Sequence, residues 1–431
     1  MAASAASSSP EATAPAATAS ASHVSDAIFS APIGAARIAS GSILVAGLVV
    51  PTKAITLTSL DIAGAVEWTA DALTGVEWAS DARLGVLPLG DGAAIVWTGA
   101  RNGRPSTYLA IVGPHGELKG DPIESGTAPC ATLDTLVWVD PATPAPSGLD
   151  ASVARPAHAV SSTQRHVRAQ AWGTSEVRDL GSLRSDPMPS LVCGDHVVYA
   201  SVDGDDDRTV RAMLGSADGA APMVIDDGDF GDDEEHDFQE YSVGDDLGMV
   251  RVGSSGEIAI REVSGGKLSG WSRLHHRLAS DDVIETVDAN AKTIAIVYSN
   301  DESNDCPGDA AAKSVHVLSV DRKTHKDAPA VKIAAAECGK DLSLFWIGQP
   351  EGSLVVGWGE PGKRHEAPIQ GLAFRVLPAS ANDATHSSVE QVADALVDAG
   401  CDKSRCYAVA LARGDGADGM APEPLKLLHY P

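Results

Sequence analysis

Gly90-Asp91-Gly92-Ala93-Ala94-Ile95-Val96-Trp97 is a tight turn followed by an apolar run that ends on an aromatic residue. The phrase returns as Gly194-Asp195 leading to Val197-Val198-Tyr199, and looser copies end at Trp138, Tyr298 and Trp358. Each copy has the composition of a turn feeding a strand. Recurrence at roughly fifty residues marks a radial repeat, in which small sheets cover one another's faces. The stretch therefore predicts an all-β fold, a single β-propeller.

Working outward from Gly90, strand a falls near Arg83–Leu89, strand b near Ala93–Thr98 and strand c near Thr107–Val112. A short strand d surrounds Asp121–Ser125. Strand b candidates recur at Ile43–Ala46, Ile95–Trp97, Leu136–Trp138, Val197–Tyr199, Met249–Arg251, Ile296–Tyr298, Val355–Trp358 and Ala408–Leu411, which makes eight. Partner c strands follow near Ile55–Leu60, Val167–Trp172, Val210–Leu214, Ile258–Val263, Val315–Val320, Leu372–Leu377 and Leu425–Leu428. The last copy has no obvious d strand, and Ala27–Ile33 is expected to supply it. Closing the ring with strands from both termini would remove free sheet edges. Eight four-stranded blades are preferred, with seven as the alternative. The alternative rests on Ser387-Ser388-Val389-Glu390, which reads as a helix capping box. Val389, Val392, Ala393, Leu396 and Val397 follow at helical spacing, and Gly400 would stop that helix.

The 431 residues exceed one small core, but a propeller tolerates such length because each blade packs only on its neighbours. The 42 Gly and 25 Pro suit many short strands and turns. A formal charge of -27 argues against nucleic acid and anionic membranes as partners, since both attract Lys and Arg. There is no apolar run of membrane-spanning length. Residues 1–25, rich in Ala, Ser and Pro, read as a disordered leader, and residues 26–431 as the propeller. Monomer is the expected state, with a protein or carbohydrate as the ligand.

Six cysteines are an even number. Cys401 and Cys406 frame a short gap in a hairpin, where a disulfide is geometrically easy. Cys130 and Cys193 sit inside apolar strand-like runs and read as buried unpaired thiols. The close pair favours an oxidising compartment, so the chain is expected to be exported: periplasmic, cell-surface or extracellular.

The aromatics Trp97, Trp138, Tyr199, Tyr298 and Trp358 invite a reading as a ligand-stacking ring. Large flat side chains at equivalent strand positions more naturally fill the wedge between sheets. The sharpest charged feature lies between Asp203 and Asp237, with thirteen Asp or Glu against two Arg. These acids fall in a b–c loop and a d–a loop, which emerge on the same face of a propeller. A solvated surface is the plain reading. Alternate hard oxygens at Asp203, Asp205 and Asp207, with Asp226 and Asp229 nearby, would also suit calcium. The run Asp203–Asp207 partly resembles the calcium loops of integrin-type propeller repeats, though Asp206 stands where glycine is expected.

Enzymatic signatures are mostly absent: no phosphate loop, no Gly-x-Ser-x-Gly elbow and no His-Glu-x-x-His occurs. His275-His276 followed by Asp281-Asp282 is the one clustering of imidazole and carboxylate. Neighbouring histidines on a strand point to opposite faces, so one packed and one solvated ring is expected. Gly90–Ser125 resembles bacterial secreted or surface propeller-like repeats of unassigned role. The resemblance is carried by Ile95-Val96-Trp97, Arg101-Asn102-Gly103, Gly113-Pro114-His115-Gly116 and Gly120-Asp121-Pro122. It implies a fold and no activity. The expected function is a non-enzymatic binding or scaffold module presenting an acidic face to a divalent cation or basic partner. The alternative is a polysaccharide-acting hydrolase or lyase with its site at the central channel mouth.

Overall fold

The computed structural model describes residues 22–49, 53–76, 84–101, 104–141, 164–184, 190–201, 213–216, 223–224, 237–253, 255–302, 312–335, 343–349, 353–360, 370–378, 389–392, 395–401, 406–411 and 423–430. Every regular element among them is a β-strand, and all strand pairs are antiparallel.

The strands group in chain order, each group an up-and-down meander. The first sheet holds β1 (Ser22–Arg37), β2 (Ile43–Val49), β3 (Ala54–Leu60) and β4 (Val66–Leu73). The second holds β5 (Leu84–Leu89), β6 (Gly92–Arg101), β7 (Arg104–Val112) and β8 (Ile123–Ser125). The third holds β9 (Cys130–Ala131), β10 (Thr135–Val139), β11 (Gln164–Ala171) and β12 (Val177–Arg184). The fourth holds β13 (Ser190–Cys193), β14 (Val197–Ser201), β15 (Met213–Ser216) and β16 (Met223–Val224). The fifth holds β17 (Asp237–Val243), β18 (Asp246–Val252), β19 (Glu257–Ser264), β20 (Lys267–Leu268) and β21 (Ser272–Arg277), the last two sharing β19 as partner. The sixth holds β22 (Val283–Ala289), β23 (Thr293–Glu302), β24 (Ala312–Asp321), β25 (Lys326–Asp327) and β26 (Val331–Ala335). The seventh holds β27 (Ser343–Gly348), β28 (Ser353–Glu360), β29 (Gln370–Pro378) and β30 (Val389–Val392). Finally β31 (Ala395–Cys401), β32 (Cys406–Leu411) and β33 (Glu423–Tyr430) join the first sheet through β1.

β1 serves two groups. Its first half, Ser22–Phe29, pairs with β33, and Ser30–Arg37 then pairs with β2. The apolar stretch expected to complete the last copy thus lies in this strand, which begins at Ser22. The expected helix after Ser388 does not form. Val389–Val392 pairs with Leu372–Arg375 of β29 as an outer strand, and Ala395–Cys401 forms β31. Valine stiffened at χ1 suits the pleat, and sheet pairing overrides a helical pattern that is only a few residues long.

Apolar clusters join successive sheets. Leu44, Ile55 and Leu57 meet Val86, Ile95 and Trp97 between the first two. Leu109 and Ile111 meet Leu136 and Trp138 between the second and third. Tyr199 meets Leu247 and Met249 between the fourth and fifth, and Ile258 meets Ile294 and Tyr298 between the fifth and sixth. Trp97, Trp138, Tyr199 and Tyr298 are each at most 4% exposed, as wedge fillers should be. The Trp358 side chain lies outside the described residues. The first strands of the groups also touch in order, β1 with β5, β5 with β9, and so on through β13, β17, β22 and β27 to β31, which returns to β1.

The Gly-Asp turns have a second role. The Gly90 N–H donates to Leu133 O (2.8 Å), the Leu133 N–H to Asp195 O (3.0 Å), and the Asp195 N–H to Gly244 O (2.8 Å). Four successive first-to-second-strand turns are thereby laced together. Gly90 has φ +54°, and a Cβ there would stand 2.5 Å from the Trp172 indole. Both the left-handed backbone and the close approach demand glycine.

Candidate functional site

The acids Asp203, Asp205, Asp207, Asp226 and Asp229 lie outside the described residues. Cys401 ends β31 and Cys406 begins β32, and the two are register partners. Their side chains also lie outside the described residues. Cys130 and Cys193, read from sequence as free thiols, instead form a disulfide with their Cα atoms 5.8 Å apart. They belong to β9 and β13, the first strands of neighbouring sheets. Packing of those strands side by side brings together two positions 63 residues apart. Among the described residues, no group of three or more His, Cys, Asp or Glu is placed to hold a metal.

The structure does gather chemistry around His275 and His276. Both lie on β21, and their backbone N–H groups donate to the two Asp327 carboxylate oxygens (3.1 and 2.7 Å). Burial alone would raise the Asp327 carboxyl, but these bonds and the His275 ring hold it below the usual carboxylate range. The alternation expected of a strand then separates the rings. The His275 side chain is 89% exposed. The His276 ring turns inward against Tyr298, with centroids 5.5 Å apart.

Tyr298 is sandwiched, because its other neighbour His316 stacks at 5.1 Å with planes 13° apart. Burial, helped by the Asp282 charge, pushes the Tyr298 hydroxyl up to about 12, so it stays a proton donor at neutral pH. Asp282 accepts from the Ala279 N–H through Oδ2 (2.7 Å). Its Oδ1 and the Nε2 of His276 are hidden from solvent, and neither has a hydrogen-bond partner among the described residues. A hidden acceptor and a hidden imidazole nitrogen left unpaired carry a desolvation penalty, which catalytic sites commonly retain. Below them, Ser314 Oγ bonds His316 Nε2 (2.9 Å) and Asn300 Oδ1. Ser299 Oγ donates to Glu285, whose carboxylate also faces Lys313 Nζ at 3.1 Å. Glu285 is thus committed, whereas His276 and Asp282 keep unspent capacity.

All these groups sit at one end of the sheets. His276 and Asp282 flank the connection from the fifth sheet to the sixth, and Tyr298, Ser314 and His316 flank the loop between β23 and β24. This is the end at which the second-to-third-strand loops and the connections between sheets emerge. Tyr298 was legible only as a packing residue, which it also is. His316 and Ser314 had no signal beyond the polar positions alternating with Val315 and Val317.

A second ionisable group stands apart, on the first strand of the sixth sheet. Asp288 is enclosed, and desolvation raises its carboxyl to about 6 despite hydrogen bonds from the Ala289 N–H and the Gln349 amide. An acid whose folded pKa is raised disfavours the fold where it is ionised, above about pH 6, and not where both states are protonated, below about pH 4. Asp288→Asn should therefore raise stability by about 2 kcal/mol at pH 8. The gain should vanish by pH 4 in urea titrations, and a gain that did not change with pH would contradict this origin.

No family model matches the chain, and no curated protein matches it. The sequence resemblance over Gly90–Ser125 accordingly stands on those residues alone. Among solved structures, the chain is similar to one of two prolyl endopeptidases, with TM-score 0.48 and 14% identity over 89% of this chain and 53% of that one. It spans about half the length of that peptidase chain. It is similar also to the β-propeller domain of the Trilobed protease from Pyrococcus furiosus, with TM-score 0.45 and 9% identity over 82% of this chain and 94% of that one. A third is an oligogalacturonate lyase in complex with manganese, with TM-score 0.39 and 9% identity over 90% and 96%. These are proteases and a lyase. The expected non-enzymatic scaffold is set aside accordingly.

Proposed function

We propose that the chain is an exported β-propeller that cleaves glycosidic bonds in a polysaccharide, as a hydrolase or lyase. Its eight blades would be the seven groups β1–β4 to β27–β30 and an eighth, β31–β33 with the first half of β1. The circuit of first strands from β1 through β31 back to β1 supports that count and the closure. The Cys130–Cys193 bond supports an oxidising compartment.

One observation carries the catalytic reading: His276 and Asp282, whose Nε2 and Oδ1 have no partners among the described residues, gather at Tyr298, the first by its ring and the second by its charge on the protonated hydroxyl. Such a set offers a proton acceptor and a proton donor within one cluster, which bond cleavage next to a sugar oxygen requires. Glu285, tied to Ser299 and Lys313, would position and not react.

The test is depolymerisation of a panel of neutral and acidic polysaccharides, read both as new reducing ends and as unsaturated sugar products. His276→Gln and Tyr298→Phe should each lower kcat by about a hundredfold while the folded state is retained. Activity unchanged in both variants would dismiss this cluster, and no cleavage of any polymer would dismiss the enzyme reading.

A further inference from the structure

Four side chains of the sixth sheet form two rungs of one ladder. Tyr298 of β23 is the register partner of His316 of β24, and Asn300 is the partner of Ser314. Positions two apart on a strand share a face, so both rungs project to the same side. The sheet itself therefore lays the imidazole along the phenol, at 5.1 Å with planes 13° apart. It also sets the Ser314 hydroxyl between the imidazole and the Asn300 amide. Tyr298 is 4% exposed and Ser314 is fully buried, so water competes little for these contacts.

The donors and acceptors follow one from another. A serine hydroxyl has a single proton and an amide oxygen only accepts, so the Ser314 proton goes to Asn300 Oδ1. The Ser314 oxygen is then an acceptor toward the ring, and the 2.9 Å bond requires a proton on His316 Nε2. That nitrogen carries its proton in the neutral and in the charged ring alike. The chain ends at Asn300, whose oxygen takes no proton from Ser314, so His316 has no route for passing the Nε2 proton on. His276, against the same phenol ring, differs. Its Nε2 is hidden and has no hydrogen-bond partner among the described residues.

We propose that the two imidazoles beside Tyr298 have different tasks. His316 is a positioning residue: the Ser314–Asn300 chain fixes its Nε2 proton and its ring plane, and that plane holds the Tyr298 ring. Proton transfer belongs to His276. An imidazole pinned at one end by a hydrogen bond presents a constant face to its stacking partner, and the partner's hydroxyl keeps one direction. The division of tasks rests on the bond-cleaving reading above, whereas the proton on His316 Nε2 rests on the hydrogen bonds alone.

Nitrogen NMR of the full chain carrying ring-labelled histidine tests the proton placement, with the His316 signals assigned by their loss in His316→Gln. Wild type should show a protonated Nε2. Ser314→Ala should spread the proton over both ring nitrogens, and Asn300→Asp, which keeps an acceptor for the serine, should not. Where Ser314→Ala does not fold, Asn300→Ala frees the serine proton and should give the same spread. A bare Nε2 in wild type, or no spread in any variant that breaks the chain, would overturn the placement. Kinetics on whichever polysaccharide the panel shows to be cleaved test the division of tasks. Ser314→Ala should lower kcat about tenfold at unchanged KM and keep the wild-type fall of kcat in acid, and Asn300→Asp should keep most of the rate. His276→Gln should lose that fall in acid. Full kcat in Ser314→Ala, or an acid fall that survives in His276→Gln, would overturn the division. A protonated Nε2 with no polymer cleaved would uphold the placement and remove the division together with the cleavage reading.

Discussion

Replacing Cys130 and Cys193 together by alanine should lower the free energy of unfolding by about 4 kcal/mol, the value that loop-closure entropy gives for a bridge spanning some sixty residues. The bridge closes a loop of 63 residues and ties the first strand of the third sheet to that of the fourth. Both of those strands are short. β9 has two residues and β13 has four, so few backbone hydrogen bonds fix either. The apolar cluster between these sheets is mostly valine and alanine, with Val137, Val139, Val167, Ala169, Val198 and Ala200 joined by Leu180, and with Leu191 and both cysteines at its margin. Small side chains bury less surface than the leucines, isoleucines and tryptophans found between other sheets, so the covalent tie matters more here. Urea denaturation of the oxidised wild type, the reduced wild type and the double variant should give one high and two matching low midpoints. If reductant leaves the midpoint where it was, the bond contributes nothing in solution. Faster amide exchange in β10, β11 and β14 would locate the loss between these two sheets.

The pattern of what could be read in advance follows from the range of the interactions. Strand b of each copy was legible because its signal is local: a turn glycine, four or five apolar residues and an aromatic, as in Gly90 to Trp97 and in Val197 to Tyr199. Each such run is buried on both faces, and the chemistry of the run alone states that. Pairing was legible too, since consecutive strands in a meander are neighbours in space. The segment after Ser388 misled because its helical pattern is local whereas its strand identity comes from β29 beside it. The disulfide was missed for the same reason. Cys401 and Cys406 drew notice by being near in sequence, while Cys130 and Cys193 are made neighbours only by the packing of two sheets. His276, Tyr298 and Asp282 show an intermediate case. The His-His-Asp-Asp cluster was visible, and the alternation of a strand correctly turned one ring out and one in. That the inward ring would meet the aromatic of the next sheet could not be read from either strand alone. The acidic loops from Asp203 to Asp237 are plain in the sequence, and the five acids singled out there lie outside the described residues.

Arg322→Ala should destabilise the protein by about 3 kcal/mol, through loss of the polar tie between the fifth and sixth sheets. Arg322 leaves the end of β24 and reaches across to the fifth sheet. Its Nε donates to Glu262 Oε1 (2.6 Å) and its Nη2 to Asp246 Oδ2 (2.8 Å). Glu262 also accepts from the Tyr241 hydroxyl (3.1 Å), and His325 stands 3.8 Å from its other oxygen. The arginine is 13% exposed and Glu262 16%, so water replaces little of what the guanidinium supplies. Removing it leaves two enclosed carboxylates close together, each disfavouring the charge of the other. The Tyr241 hydroxyl, pushed well above the ordinary phenol range by burial and by Glu262, remains a donor and can satisfy only one oxygen. Lysine cannot rescue the site in full, because the two acids are met by different nitrogens of one planar group. Arg322→Lys should therefore recover less than half of the loss. The triple change Arg322→Met, Glu262→Gln, Asp246→Asn should recover more, since it removes the stranded charges along with their partner. Urea midpoints for the three variants distinguish these outcomes. Equal stability of Arg322→Ala and wild type would mean that the apolar cluster around Ile258, Ile294 and Tyr298 holds the two sheets by itself.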